Sequence, residues 1–215
     1  MRFCHIAENS TNKLKIDKIT ALWAFSEAAL GGILHALKIP FTGLFIGGSA
    51  VIFISLLAFY ADSRKVIFES TLKVILVKFV VSPYSPLAAY FAVFLQSILG
   101  YILFFGGFKK TSAILLGFLS LLLSSFQKIF ILTIIFGMTL WESIDIFFDF
   151  VLKKLLPGSL NIEIYNVTYF VVGTYIFTHV IGGLFAGWYA SILPEPLYRI
   201  PKEFASSTVL VLPTR

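Results

Sequence analysis

The chain has 215 residues, of which 58% are hydrophobic and 13% are charged, and its mean hydropathy is +0.92. A soluble core of this length cannot hide so much apolar surface, so the composition excludes a water-soluble globular protein and indicates one whose main solvent is lipid. The formal net charge of +6 does not indicate a nucleic-acid partner, because the basic residues occur singly or in pairs and form no single patch.

Several apolar runs approach the roughly 20 residues that a helix needs to span the hydrocarbon of a bilayer. Before the last run, residues 139–155 carry apolar side chains at three- and four-residue spacing, which predicts an external amphipathic helix. The connections are mostly short, so neighbouring spans should pack antiparallel in one domain, residues 1–215. We therefore predict an all-α polytopic membrane protein, a compact bundle of about six transmembrane helices. The predicted spans are residues 19–37, 42–60, 66–81, 85–105, 112–136 and 166–190.

Lysine and arginine are distributed unevenly over the two sides of this predicted topology. If the N-terminus is cytoplasmic, the basic residues of both terminal segments and of the loops after the second and fourth spans are cytoplasmic too. Outside the spans, Lys38, Lys153 and Lys154 are then the basic residues that fall on the outer side. Because basic residues near span ends set orientation, we predict that both termini are cytoplasmic. The expected location is multi-pass in the cell membrane, the inner or plasma membrane of a prokaryote.

Polar side chains interrupt the predicted spans at a few positions. An ionised group at membrane depth is costly, so it should be hidden, paired or functional. We expect Glu27 in the first span to pair with Lys73 or Lys78 in the third, and Glu69 can pair with Lys73 four residues away. Gln96 is a weaker signal, since an amide can simply bond between helices. Bracing of the bundle and a role in substrate binding or coupling both remain open for these groups.

Small residues form a stripe on the first span. Ala24 and Ala28 are four residues apart on one helix face, and Gly32 continues that face. Such a stripe allows close approach of a second helix, since van der Waals packing drives helix association in membranes. The stripe predicts either packing within the bundle or docking of a partner helix.

Aromatic and polar residues concentrate at the predicted outer end and could form a binding site. Aromatic planes with a few polar groups suit a small, flat, polar ligand, although Trp and Tyr are also common at membrane interfaces. His179, in the last span, is a further candidate, as a base, a ligand or a hydrogen-bonding strut. The other candidate substrate-binding residues are His35, Tyr84, Trp141, Glu142, Asp145, Tyr165 and Asn166.

Metal, cofactor and nucleotide signatures are missing from the sequence. The chain has no Gly-rich loop ending in Lys-Ser/Thr, so it should not hydrolyse ATP alone. Its histidines, at positions 5, 35 and 179, share no ligand spacing, and the single cysteine, Cys4, excludes an intramolecular disulfide and a multi-cysteine metal site. We predict no metal and no cofactor.

A catalytic alternative involves Ser49 and His179. The pattern His179-x-x-Gly182 followed by Gly187 resembles the last helix of rhomboid intramembrane proteases, and Gly47 to Ala50 is loosely similar to their serine loop. In that family the serine motif ends in glycine and lies two spans before the histidine, whereas here Ala50 replaces the glycine and Ser49 is in the second span. A rhomboid-like hydrolase is therefore the third hypothesis, and we predict that the chain is not an enzyme.

The whole pattern resembles the S components of energy-coupling factor (ECF) transporters, which are substrate-binding membrane subunits. The resemblance covers a basic N-terminus, about six spans, the Ala24-x-x-x-Ala28 helix and a capping external segment, and it is strongest from Ser26 to Ser55. It implies that Ala24 and Ala28 dock on a transmembrane T component linked to two ATPases. It also implies a small substrate, typically a vitamin or a metal ion, bound near the outer face. A non-transporting membrane scaffold or assembly protein is the alternative.

Overall fold

The computed structural model of the protein describes residues 2–36, 41–83, 85–155 and 167–197. This part of the chain is helical, with short turns and no strand, so the all-α prediction is confirmed. Each predicted span contains a helix, and the predicted amphipathic segment coincides with α7. The elements are α1 (Arg2–Phe25), a π-helical turn (Ser26–Leu30), α2 (Gly31–Ala36), α3 (Thr42–Tyr60), α4 (Lys65–Val81), α5 (Leu87–Leu103), α6 (Lys110–Phe136), α7 (Thr139–Leu155) and α8 (Val167–Ile192).

Three stretches of helix among the described residues are long and apolar enough to cross a membrane: Thr42–Tyr60, Lys110–Phe136 and Val167–Leu197. The apolar helix Leu87–Leu103 is shorter. Large apolar side chains on several helices are strongly exposed, among them Val80 and Leu87, at 78% and 83%. Exposed apolar surface of this extent indicates contact with lipid, which agrees with the composition.

Helix α3 is the centre of the bundle, packed against α1, α4, α5, α6 and α8. Its side chains Ala50, Val51, Ile54 and Leu57 are completely buried. They pack with fully buried residues of the surrounding helices, such as Trp23. The glycines Gly47 and Gly48 of α3 allow neighbouring helices to approach closely, with side-chain atoms of Leu121 and Ala186 2.7 and 3.5 Å from the positions that their Cβ atoms would take.

Helices α6 and α8 make the most extensive helix–helix contact in the bundle, and glycines lie at its centre. A Cβ atom at Gly187 would lie 2.7 Å from the Ala113 carbonyl oxygen, and one at Gly117 would lie 2.7 Å from the Gly187 nitrogen. The two backbones therefore touch directly. This is the small-residue packing that membrane helices use in place of the hydrophobic effect.

The turns 61–64 and 104–109 lie together at one end of the bundle, which we call the basic end. Arg64 donates a hydrogen bond to the Tyr101 carbonyl at 3.3 Å and lies over the Tyr101 ring. Lys110 pairs with Glu195 at 2.7 Å, which places the C-terminal part of α8 at the same end. The opposite end contains the start of α3, the turn between α4 and α5, and α7.

Candidate ligand-binding site

A buried ion pair joins the first helical segment to α4. The Lys78 ammonium lies 2.7 Å from Oε2 of Glu27, and the two residues are 5% and 2% exposed. This contact confirms Lys78 as the partner of Glu27. Lys73, the other candidate, instead pairs with Asp17 at 3.6 Å, with both side chains more than half exposed. One pair is therefore enclosed by protein, and the other lies on the surface.

Glu27 belongs to the π-helical turn between α1 and α2. A π turn accommodates one residue more than an α turn, and such turns occur frequently at functional sites. The hydroxyl groups of Ser26 and Ser49 lie 3.0 Å apart, and Ser49 also donates to the Ile46 carbonyl at 2.8 Å. These contacts attach the π turn to α3. The Glu27 carboxylate is thus held between helices in a fixed position.

A cavity of about 80 Å³ adjoins the ion pair. It lies between the π turn and the ends of α3, α4 and α5 that are remote from the basic end, with one residue from α6. A water molecule needs about 10–15 Å³ of such space, so the cavity can hold several waters or a small polar molecule. Its lining includes Glu27, Lys78, Gln96, Thr42, Gly47 and Ser124.

The side chain of Gln96 faces this cavity and is buried, with 4% of its surface exposed. Its amide makes no hydrogen bond among the described residues, and it is not one of their fully buried polar groups that lack a partner, so it can bond to a molecule in the cavity. Its Nε2 atom lies close to Gly47, where an added Cβ would be 3.1 Å from it and 2.7 Å from Cδ2 of Leu121. The absence of a side chain at Gly47 therefore leaves the space that Gln96 occupies.

The arrangement offers a carboxylate, an ammonium and an amide to one small space. A lysine ammonium has three N–H donors, and a carboxylate accepts several hydrogen bonds, so the contact between them leaves capacity on both groups. Lys78 also lies 5.7 Å from the centre of the Tyr90 ring, within the range of a cation–π contact. The site can therefore bind a polar ligand through charged groups that are already fixed in position.

The sequence indicated the polar residues of this site but not their convergence. Glu27, Lys78 and Gln96 were singled out as intramembrane polar groups, and the structure brings all three to one cavity. Thr42, Gly47 and Ser124 were missed as lining residues. Hydroxyl residues and glycines are common in membrane helices, so only the packing of the helices distinguishes these from others.

Two of the predicted substrate-binding residues instead connect α7 to the bundle. The Trp141 indole donates to Oγ1 of Thr133 at 3.1 Å, and the Trp141 carbonyl accepts a bond from the Thr168 hydroxyl at 3.0 Å. Asp145 accepts a hydrogen bond from the Thr168 backbone N–H at 2.8 Å, as a capping residue at the start of α8 does. These bonds are structural, and Glu142 beside them is exposed.

The remaining candidate residues either lie away from the cavity or have side chains outside the described part of the chain. His35 lies on α2, and its side chain is outside the described part of the chain, as are Tyr84, Tyr165 and Asn166. His179 is almost completely buried on α8, with Nδ1 2.9 Å from the Tyr175 carbonyl oxygen and its ring against Phe41. These contacts match the interpretation of His179 as a hydrogen-bonding strut.

The structure does not bring Ser49 and His179 together. Among the described residues, the Ser49 hydroxyl bonds to Ser26 and Ile46, and the His179 ring contacts Tyr175 and Phe41. A nucleophile and its base must lie within hydrogen-bond reach of each other. This geometry gives no support to the hydrolase hypothesis.

The small-residue stripe of the first span faces the inside of the bundle. Ala24 and Ala28 are 6% and 4% exposed, and a Cβ at Gly32 would lie 3.8 Å from the Ser82 hydroxyl. The π turn that contains Ala28 also shifts the helical register along the stripe. The chain's own helices cover these alanines, so the interpretation as internal packing fits the structure, and a partner helix cannot reach them in this conformation.

Glu69, on α4, is exposed.

No family model matches this chain, and no curated protein or solved structure is detectably similar to it.

Proposed function

We propose that the protein is a multi-pass membrane protein with six transmembrane segments and both termini in the cytoplasm. The first segment is residues 19–36, which comprise the end of α1, the π turn and α2. The other five are α3, α4, α5, α6 and α8. Two of the charges of α4 agree with this proposal, because Lys78 is neutralised inside the bundle and Lys73 is paired at its surface. The clustering of Arg64, Lys65, Lys109 and Lys110 at the basic end favours a cytoplasmic position for that end.

Cysteine labelling at the two ends of α4 tests this topology. After replacement of Cys4 by serine, we introduce Ser63→Cys in the turn before α4 or Pro83→Cys in the turn after it. Both positions are exposed. If α4 crosses the membrane, a membrane-impermeant maleimide should label Pro83→Cys in intact cells and should label Ser63→Cys only after permeabilisation. Equal protection of both cysteines in intact cells would show that α4 does not cross.

We further propose that the chain is the substrate-binding membrane subunit of an ATP-driven uptake transporter, similar to an ECF S component. The observation that carries this proposal is the cavity lined by the buried Glu27, Lys78 and Gln96. Charged groups that only brace helices need no adjoining space, and an unpaired amide in a cavity suits a ligand. In the proposed topology the cavity lies in the outer half of the bundle, where a transporter subunit would capture its substrate.

In this proposal the energy comes from partner subunits. A transmembrane coupling subunit, linked to ATPases, would change the orientation or openness of the bundle and release the ligand on the inner side. That subunit would contact a surface other than Ala24 and Ala28 unless the bundle opens, because both alanines are buried. The lipid bilayer, the coupling subunit and the small-molecule substrate are thus the proposed partners.

Native mass spectrometry of the protein, purified gently from its source membrane, tests this function. We expect a retained small molecule together with coupling and ATPase subunits. The variant Gly47→Ala should lose the small molecule, because its Cβ would press on Gln96 and Leu121. Gly173→Ala is the matched control, since nothing lies within 4 Å of the Cβ it adds. A protein that is empty in every preparation and has no ATPase partner would contradict the proposal.

A membrane scaffold is the second candidate function. The burial of Ala24 and Ala28 and the structural bonds of Trp141 and Asp145 favour it, because they assign several candidate functional residues to internal packing. A scaffold should purify without a small molecule and with a membrane partner unrelated to transport. The same mass spectrometry therefore separates the two functions.

A further inference from the structure

We infer that the cavity beside Glu27 and Lys78 binds a small zwitterion, a molecule that carries both a carboxylate and an ammonium group. This inference rests on the proposed function, since it names the chemical class of ligand for the same site. It is carried by the charge balance of the cavity, by the geometry of the ion pair and by the unpartnered amide of Gln96.

The charge balance of the cavity favours a ligand without net charge. Among the described residues that line it, Glu27 and Lys78 are the ionisable ones, one acidic and one basic, so their formal charges cancel. A simple cation would be attracted to Glu27 but would meet the Lys78 ammonium, 2.7 Å from that carboxylate, and a simple anion would meet the reverse problem. Either ion would also leave one uncompensated charge in a buried space, which is strongly unfavourable.

The geometry of the pair suits a ligand with two opposite charges. A ligand carboxylate can accept hydrogen bonds from the N–H donors of Lys78 that Glu27 does not use. A ligand ammonium can in turn donate to the Glu27 carboxylate, which accepts more than one hydrogen bond. The four groups then alternate in sign around a closed ring, so each charge has an opposite neighbour. Hydrogen bonds between charged groups are also stronger than neutral ones.

Gln96 adds a group that can bind either end of such a ligand. Its amide offers both a donor and an acceptor, and it has no partner among the described residues although it is 4% exposed. The wall between the polar groups is made by small or apolar side chains, Ile46, Ala89, Ala92 and Val93. A cavity of about 80 Å³ suits a ligand with a short chain between its two charges.

Binding of matched small probes to the full-length protein in lipid nanodiscs tests the inference. The zwitterionic probes are glycine, β-alanine and γ-aminobutyrate, which differ in the separation of their charges. Acetate carries only a negative charge, methylammonium carries only a positive charge, and acetamide is a neutral amide of similar size. We expect a saturable rise in the thermal unfolding midpoint with at least one zwitterion, and no comparable rise with acetate and methylammonium, alone or mixed, or with acetamide.

Two double variants show whether the effect arises in the cavity. Glu27→Gln combined with Lys78→Met removes both buried charges, and no unpaired charge remains to unfold the protein. We expect at least about tenfold weaker zwitterion binding, since hydrogen bonds to charged groups are lost. Asp17→Asn combined with Lys73→Met removes the surface pair in the same way and should leave binding unchanged.

The possible outcomes separate this inference from the proposed function. A retained molecule that carries a single net charge, or an acetamide effect equal to that of the zwitterions, would overturn the inference while the transport proposal stands. A zwitterion effect that survives removal of Glu27 and Lys78 would place binding elsewhere and also overturn it. If no probe binds and native mass spectrometry finds no ligand, the inference and the proposed function both fail.

Discussion

Replacing Glu27 by glutamine should lower the free energy of unfolding by about 3–5 kcal/mol, because the Lys78 ammonium would remain buried without a counter-charge. Lys78→Met should have a similar effect, since it leaves the Glu27 carboxylate unpaired at 2% exposure. Denaturant titration of the detergent-solubilised protein, followed by circular dichroism, measures both values. The surface ion pair between Asp17 and Lys73 is the reference for these changes in stability. Asp17→Asn should cost less than about 1 kcal/mol, because its contact with Lys73 is long, at 3.6 Å, and both side chains are more than half exposed.

The double variant Glu27→Gln with Lys78→Met gives the sharper result. Removing both charges together should destabilise the protein much less than either single change, because no buried charge is left unpaired. The ion pair would then contribute little net stability. Stability would not explain the presence of two buried charges, whereas ligand binding would. If each single change cost no more than Asp17→Asn, the ion pair would be hydrated, and the burial of Glu27 and Lys78 would be wrong.

Much of the helical architecture could be predicted from the sequence. Apolar runs of about 20 residues have few alternatives to helices, and α7 was correctly located because its apolar residues follow a helical period. The π turn at Ser26–Leu30 could not be predicted, because no residue type marks it. That turn matters for the site, since it carries Glu27.

The sequence reduced the possible partners of Glu27 to two lysines but did not decide between them. A carboxylate in an apolar span requires a partner, and Lys73 and Lys78 were the nearest candidates along the next charged span. These lysines are five residues apart and so point in different directions from α4. The rotation of α4 about its own axis decides which of them faces inward, and that rotation depends on the packing of several helices at once.

The position of the cavity was the least predictable feature. Aromatic and polar residues near the predicted outer loops suggested a site there, but Trp141 and Asp145 form the bonds that fix α7. The cavity instead depends on the absence of a side chain at Gly47, which leaves room for Gln96, and on the direction in which the Gln96 side chain points. Empty space has no sequence signal, because it results from side chains of several helices that do not meet.

Gly117→Ala should destabilise the protein by about 1–3 kcal/mol, because the added Cβ would meet backbone atoms of α8. The Gly187 nitrogen and Cα would lie 2.7 and 2.8 Å from it, and the Gly183 carbonyl would be closer still. Backbone atoms cannot rotate away as a side chain can, so α6 and α8 would have to separate. Gly187→Ala should act in the same way from the other helix, against Ala113 and Ile114. The free energy of unfolding in detergent measures both effects.

The control for this prediction should change stability in the opposite direction. Gly173 is also on α8, but a Cβ there meets nothing within 4 Å. Gly173→Ala should therefore stabilise the protein by up to about 1 kcal/mol, since alanine favours the helix more than glycine does. Glycine-to-alanine substitutions at these positions of α6 and α8 therefore distinguish the effect of close packing on stability from the effect of helix propensity. If Gly117→Ala and Gly187→Ala were also stabilising, the two helices could not be in backbone contact, and the most extensive interface of the bundle would need another arrangement.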